Sequence, residues 1–124
     1  MPHEARDEAL IKLEEIVDNF LSRPDSGPFR EPVDWKELEL FDYPVIVQHP
    51  MDLGSVKRRL ESSNYYPNAA TAARDIRLIF ENCKTYNSEG SEFHLLAKSY
   101  ARRFEDLYRK IRHECTSNQS VVAR

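Results

Sequence analysis

Residues 68–114 read NAATAARDIRLIFENCKTYNSEGSEFHLLAKSYARRFEDLYRKIRHE, and their apolar side chains recur at alternating steps of three and four residues. This spacing aligns side chains on one face of an α-helix, so it predicts helices over about Asn68–Thr85 and Ser91–Glu114. The predicted buried stripes are Ala69, Ala73, Ile76, Phe80 and Cys83, and then Phe93, Ala97, Tyr100, Phe104, Leu107 and Ile111. Because only a short turn, Asn87–Gly90, separates the two helices, we expect them to pack antiparallel.

Two further helices are predicted upstream, over about Glu4–Leu21 and Asp52–Glu61. Their stripes are Leu10, Leu13, Val17, Phe20 and Leu21, and Leu53, Val56 and Leu60, with Lys57, Arg58 and Arg59 largely outward. Asp52, just after Pro50, is a favourable residue to cap the second of these helices. No segment alternates like a β-strand. The sequence therefore predicts an all-α four-helix bundle over residues 4–114, and the Ser/Asn/Gln-rich residues 115–124 are expected to form a flexible tail.

The connection between the first two helices, residues 22–51, is unusual and is called the long loop below. Five prolines forbid a continuous helix there: Pro24, Pro28, Pro32, Pro44 and Pro50. It is also rich in large apolar residues, among them Phe29, Val33, Trp35, Leu38, Leu40, Phe41, Tyr43, Val45 and Ile46. A disordered linker would be polar, so we expect this loop to pack over one end of the bundle and to form a pocket there.

Composition excludes several classes of protein. The chain has 124 residues, 40% of them hydrophobic and 31% charged, with a formal net charge of −3. A mildly acidic chain is a poor general binder of nucleic acid, and three glycines leave no Rossmann or P-loop pattern. Two cysteines cannot by themselves build a structural zinc site or a disulfide scaffold, and no apolar run reaches the length of a membrane span. We expect one soluble, intracellular domain that has no membrane contact and is monomeric in isolation.

A catalytic site would have to be assembled from Cys83 with His49 or His94 as the base. Cys83 lies on a predicted core stripe, where a free cysteine behaves as an inert small hydrophobe. The histidines at 3, 49, 94 and 113 include no pair at i and i+4 that would indicate a zinc site. The sequence therefore predicts no enzyme, no metal and no cofactor.

Two segments resemble the bromodomain family: Tyr43-Pro44-Val45-Ile46-Val47-Gln48-His49-Pro50-Met51-Asp52-Leu53 and Asn82-Cys83-Lys84-Thr85-Tyr86-Asn87. The resemblance extends from the first helix through the fourth. It implies a left-handed bundle of helices Z, A, B and C, in which the long ZA loop and the short BC loop form a pocket. It also implies a reader of N-acetyl-lysine.

The resemblance implies a role for each pocket residue. Asn87 would donate to the acetyl carbonyl directly, and Tyr43 would reach the same oxygen through an ordered water. The residues implied to bind acetyl-lysine are Pro28, Phe29, Val33, Leu38, Leu40, Tyr43, Cys83, Tyr86, Asn87 and Phe93. Each also has an ordinary structural explanation, since Asn87 is a good helix-end residue and the apolar ones are good core residues.

Two positions depart from the family pattern. Gly27 stands where the family often has a shelf tryptophan, and Pro44 stands where a second tyrosine is frequent. The loss of an indole predicts a groove that is more open on that side, unless Trp35 of the same loop folds over it.

Charge predicts the partners. The acidic residues expected around the pocket mouth are Glu31, Asp34, Glu37, Glu39, Asp42, Glu89 and Glu92, against only Arg30 and Lys36. Such a rim would steer Lys/Arg-rich acetylated histone tails to the pocket, with other acetylated nuclear proteins as a second partner class. We therefore expect a nuclear role in chromatin and transcription. A helical protein–protein interaction module that does not depend on acetylation is the alternative.

Basic residues lie elsewhere in the sequence, at 57–59 and then at Arg102, Arg103, Arg109, Lys110 and Arg112. Cations late in a helix complement the helix dipole, which is sufficient to explain them. Weak DNA contact by this face is the other interpretation.

Overall fold

The computed structural model describes residues 7–122, with side chains described as far as Cys115. The described chain forms helices α1 (Glu8–Ser22), α2 (Gly27–Arg30), α3 (Tyr43–Ile46), α4 (Leu53–Glu61), α5 (Ala69–Tyr86) and α6 (Glu92–Val122). No strand is present in these residues. The four long helices are α1, α4, α5 and α6, which confirms the predicted all-α four-helix bundle.

The helix starts are determined by the capping residues. The Asp52 carboxylate accepts a hydrogen bond from the Ser55 backbone N–H at 2.9 Å, as its position in the sequence predicts. Asp7 and Asn68 cap α1 and α5 in the same way. Residues 4–6, where the first predicted helix begins, lie outside the described residues. The backbone of α6 continues to Val122, past the predicted end at Glu114, and the tail over 115–124 stays a prediction.

An aromatic cluster forms the centre of the core. Phe20 contacts Phe80 and Tyr100 with ring centroids 6.1 and 5.1 Å apart, and Phe29 from the long loop contacts the same two rings. Edge-to-face pairs of this kind add to the free energy gained by burial. The long loop is thereby fastened to the bundle by one of its own side chains.

The cations on α4 differ from their prediction. Arg58 is exposed, as expected. Lys57 is instead partly buried, with its Nζ 2.9 Å from Glu14 Oε2 and 2.7 Å from Asp18 Oδ1 on α1. Arg59 Nη1 lies 2.7 Å from Asp75 Oδ2 on α5. These two cations join helices, because each faces a carboxylate on a neighbour.

None of the helices in the described part of the chain is both long and apolar enough to cross a bilayer.

Candidate functional site

A cavity of about 530 Å³ opens at the end of the bundle where the long loop, the end of α5 and the start of α6 meet. All ten residues that the resemblance implied for a binding pocket line it: Pro28, Phe29, Val33, Leu38, Leu40, Tyr43, Cys83, Tyr86, Asn87 and Phe93. The long loop therefore packs over a bundle end and forms a pocket, as its apolar and proline-rich composition predicts.

The inner wall of the cavity, Pro28 and Phe29, belongs to α2. Phe29 is 2% exposed, and its ring lies 5.2 Å from that of Phe80 and 5.1 Å from that of Tyr100. The same side chain is therefore both a cavity wall and a part of the core. The two interpretations of Phe29 at the sequence level are not exclusive.

Hydrogen bonds hold α2 in place. Arg30 donates from Nε to the buried Ser26 hydroxyl at 2.8 Å and from Nη2 to the Arg23 carbonyl at 2.6 Å. The Arg30 carbonyl packs against α4 at Gly54, where an added Cβ would lie only 2.8 Å from that oxygen. Gly54 is thus required by the close approach of the two backbones, and it determines how near the inner wall lies to α4.

A second set of contacts anchors the segment just before α2. The Tyr100 hydroxyl donates a hydrogen bond to the Asp25 carboxylate, and the Arg23 guanidinium lies 5.6 Å above the Tyr100 ring. Burial and the Asp25 carboxylate raise the pKa of Tyr100, so the hydroxyl keeps the proton that it donates. Helix α6 therefore also positions the inner wall.

The outer wall, Leu38 and Leu40, lies on a turn of the long loop. The turn is closed by backbone hydrogen bonds from Leu38 N to Asp34 O (3.0 Å) and from Leu40 N to Trp35 O (2.7 Å). Glu39 between them has a φ of 58°, which costs a non-glycine residue free energy. Leu38 is 60% exposed although it lines the cavity.

The groove is open beside Gly27. A Cβ added to Gly27 would meet no atom within 4 Å. Trp35 does not fill this side, because it is not among the cavity-lining residues and its ring contacts Phe41 at 6.3 Å. The side that lacks the family's tryptophan is thus left uncovered.

Asn87 is the polar group at the end of α5. Its Nδ2 donates to the Cys83 carbonyl at 2.9 Å, as does its backbone N–H at 3.0 Å, so it also ends the helix. An amide nitrogen has two N–H donors, and this hydrogen bond uses one of them. The contact fixes the amide plane at the cavity, where the same nitrogen also lies 3.5 Å from Cys83 Sγ, which is only a weak acceptor.

Tyr43 and Tyr86 connect the long loop to α5 on the same side of the cavity. Their ring centroids lie 5.0 Å apart, and the Tyr86 hydroxyl donates to Asp42 Oδ1 at 2.7 Å. Burial, followed by the nearby Cys83, raises the pKa of Tyr43, and the hydrogen bond to Asp42 raises the pKa of Tyr86. Tyr43 therefore presents a neutral hydroxyl that can donate.

The thiol of Cys83 is not activated. Burial raises its pKa, and its Sγ lies 3.5 Å from the Phe93 carbonyl, to which a thiol can donate. A thiolate nucleophile needs the opposite environment. In the part of the chain that the structure describes, no three His, Cys, Asp or Glu side chains gather to hold a metal ion.

Eight further cavity-lining residues are absent from the set that the resemblance implied: Gly27, Arg30, Glu31, Pro32, Asp34, Met51, Ile79 and Asn82. Ile79 lies one helical turn before Cys83, so helical periodicity alone could have placed it on the same face of α5. Met51 and Asn82 lie within the two quoted segments. The Asn82 amide donates to the His49 carbonyl at 2.8 Å, which ties the end of the long loop to α5.

Comparison with known proteins agrees with this geometry. The sequence model of the family described as Bromodomain matches residues 13–99. The chain is similar to three transcription factors of Arabidopsis thaliana. It is 43% identical to GTE1 over 79 residues, which are 64% of this chain and 20% of that protein. It is 40% identical to GTE4 over 91 residues, 73% of this chain and 12% of that protein. It is 36% identical to GTE10 over 111 residues, 90% of this chain and 10% of that protein. The chain therefore spans a fifth or less of the length of these relatives.

Proposed function

This chain belongs to the bromodomain family, and we propose that its cavity binds N-acetyl-lysine on partner proteins. Bromodomains in general are non-enzymatic readers of this modification. The observation that carries the proposal is the Asn87 amide, held by the Cys83 carbonyl at 2.9 Å beside an otherwise largely apolar cavity.

The chemistry of the cavity fits a neutral amide. Acetylation of lysine leaves a carbonyl acceptor, an N–H and a methyl group where a charged ammonium had been. The second Asn87 N–H can donate to the carbonyl, and the neutral Tyr43 hydroxyl can reach the same oxygen through a water. Phe29, Val33 and Cys83 supply apolar contacts for the methyl group.

Discrimination against unmodified lysine follows from desolvation. The ammonium would lose its hydration against the apolar wall, and the two carboxylates of the lining, Glu31 and Asp34, are exposed to solvent and not buried beside that wall. Burying a charge without a partner costs several kcal/mol in practice, roughly a thousandfold in affinity. Binding of this kind needs no catalytic group. The raised pKa of Cys83 keeps its thiol protonated, so that it serves as an apolar contact.

Acetylated histone tails are the proposed partners because of the charge around the mouth. Glu31 and Asp34 line the cavity and are exposed, and Asp42 lies beside Tyr86. Carboxylates at the mouth raise the rate of encounter with Lys/Arg-rich segments more than they raise affinity. The association rate constant for such a peptide should therefore fall between 20 and 500 mM salt; an unchanged rate would contradict the steering.

The test is a titration of matched acetylated and unacetylated histone tail peptides. The wild type should bind only the acetylated peptide, and Asn87→Ala should weaken it by about 1–3 kcal/mol, because the direct donor is lost. Ser88→Ala, at the exposed neighbouring position, is the matched control and should bind like the wild type. Equal binding of both peptides, or an unaffected Asn87→Ala, would favour an interaction module that does not depend on acetylation.

The relatives suggest where such a reader works. They are named transcription factors, and this chain is similar to a small part of each. We propose that the chain is a module of a nuclear protein that regulates transcription through acetylated chromatin. Other acetylated nuclear proteins are a second partner class, since nothing in the amide chemistry restricts the ligand to histones.

A further inference from the structure

One face of α6 carries exposed cations that the cavity does not use. The basic row is defined as Lys98, Arg102, Arg109 and Arg112, which follow one another at steps of four, seven and three residues. At about 100° per residue these four positions fall within an arc of roughly 80° around the helix. All four are exposed.

The carboxylates of the groove beside the basic row are each paired with a cation: Glu81 with Lys84, Glu105 with Arg77, and Asp106 with Arg109 of the row itself. Glu105 receives two hydrogen bonds from Arg77 of α5, at 2.6 and 2.9 Å. Asp106 Oδ1 lies 3.3 Å from Arg109 Nη1. The hydrogen bond from Arg77 lowers the pKa of Glu105, and the charges of Arg109 and Arg112 lower it further, so these cations face the same region. Lys98 and Arg102 form no ion pair with any described side chain.

We propose that the basic row is a binding surface for the phosphate backbone of a nucleic-acid duplex. The row extends about 21 Å along a straight helix, at a rise of 1.5 Å per residue, and so can follow several successive phosphates. The chain is acidic overall, with a net charge of −3, so the contact is local to this face.

The structure favours a duplex over a single strand or an acidic protein surface. Single-stranded nucleic acids are usually held by exposed aromatic rings on which bases stack. The aromatic residues of α6 along the row, Tyr100, Phe104 and Tyr108, are buried or cover the core. The groove beside the row exposes one large apolar side chain, Leu95, which is little for a protein interface.

The basic row and the cavity lie on separate parts of the molecule, so both could be occupied at the same time. Helix α6 begins at Glu92, its second residue Phe93 lines the cavity, and the row starts five residues later and leads away from it. A duplex on the row and an acetylated peptide in the cavity would therefore occupy separate surfaces. This last step rests on the proposed function, whereas the duplex contact does not.

The test compares two double variants with equal charge and equal spacing. Arg102→Ala with Arg109→Ala removes two cations of the basic row, and Arg103→Ala with Lys110→Ala removes two cations from an adjacent face of α6. All four side chains are exposed, so both variants should fold. The probe is a fluorescent 20-base-pair duplex of mixed sequence, measured by anisotropy from 50 to 200 mM salt.

We expect the wild type to bind the duplex and the row variant to lose at least fivefold in affinity at 50 mM salt, with the control variant within twofold. The slope of log affinity against log salt should fall by about two in the row variant alone, roughly one for each lost phosphate contact. Both variants should bind the acetylated peptide like the wild type, which separates this proposal from that of the cavity. No duplex binding by the wild type, an equal loss in both variants, or equal affinity for single-stranded DNA or polyglutamate would overturn it.

Discussion

The inner and outer walls face the same cavity, yet they are built in different ways. Phe29 of the inner wall is 2% exposed and packs into the aromatic core, whereas Leu38 of the outer wall is 60% exposed on a loop turn. The inner wall is held by side chains of α5 and α6 and by the hydrogen bonds of Arg30, and the outer wall is held mainly by backbone hydrogen bonds within its own turn. Two residues can therefore line the same pocket and contribute very differently to stability.

The largest effect should come from the inner wall. Phe29→Ala removes a ring that touches Phe80 and Tyr100, so unfolding should become easier by about 3–5 kcal/mol. Chemical denaturation measures this free energy of unfolding. A loss below about 1 kcal/mol would mean that Phe29 is a pocket residue only, and the contrast between the walls would fail.

A smaller effect is expected where the inner wall touches α4. The Cβ of Gly54→Ala would lie 2.8 Å from the Arg30 carbonyl, so α2 must shift, at a cost of about 1–3 kcal/mol. Gly27→Ala is the matched control, since its Cβ would meet nothing within 4 Å. Thermal melting of the two variants should separate them. Similar melting temperatures for both would show that the backbone approach at Gly54 is not limiting.

A substitution in the outer wall should change peptide affinity more than it changes stability. Leu38→Ala exposes little new surface in the folded protein, so its free energy of unfolding should change by less than about 0.5 kcal/mol. Its apolar contact with a bound peptide is lost, and affinity should fall about two- to tenfold. Calorimetric titration beside a denaturation curve tests both. A destabilised Leu38→Ala protein would contradict the account of this wall.

A large side chain at Gly27, on the open side of the groove, should increase the affinity for a peptide. Gly27→Trp would add a large apolar face where the groove is uncovered, and should strengthen binding of an acetylated peptide by about 0.5–1.5 kcal/mol. Surface plasmon resonance would detect the slower dissociation. Weaker binding would indicate that a ligand residue already occupies that opening.

The smallest effect concerns pH. The pKa values of Tyr43, Tyr86 and Cys83 are all raised, so these groups stay neutral where the unfolded chain would begin to ionise. Their contribution to stability is complete below the ordinary pKa values and is lost as pH rises through the folded-state values. Peptide affinity should thus be constant from about pH 7.5 to 9. A titration with a midpoint inside that range would show that one of these protons is more easily lost.

Much of the fold could be predicted because it depends on periodicity. The stripes of α5 and α6 and the cap at Asp52 are local patterns, and the structure confirms them except at Phe93, which is 48% exposed beside the cavity and not buried in the core. The two short helices inside the long loop, α2 and α3, were not predicted, since prolines there suggested only an interruption. Proline is in fact favourable in the first turn of a helix, which is where Pro28 and Pro44 lie.

The site could be predicted less completely. The resemblance placed Asn87 and Tyr43 at one cavity through two short segments of sequence. The position of Trp35 could not be predicted, because it depends on whether the indole meets Phe41 or the gap at Gly27, which is a question of tertiary packing. The ion pairs of Lys57 with Glu14 and Asp18 likewise could not be predicted from the sequence, because those carboxylates lie on another helix.

The central claim is that the Asn87 amide donates to the acetyl carbonyl, and its side-chain resonance tests this most directly. One Nδ2 proton is bonded to the Cys83 carbonyl, and the nitrogen also lies 3.5 Å from Cys83 Sγ; under the proposed function the second proton donates to the acetyl oxygen. In ¹⁵N-labelled protein titrated with an acetylated peptide, the second proton should move strongly downfield in step with binding, and the first should move little. Binding that leaves both Asn87 side-chain protons unmoved would contradict the account.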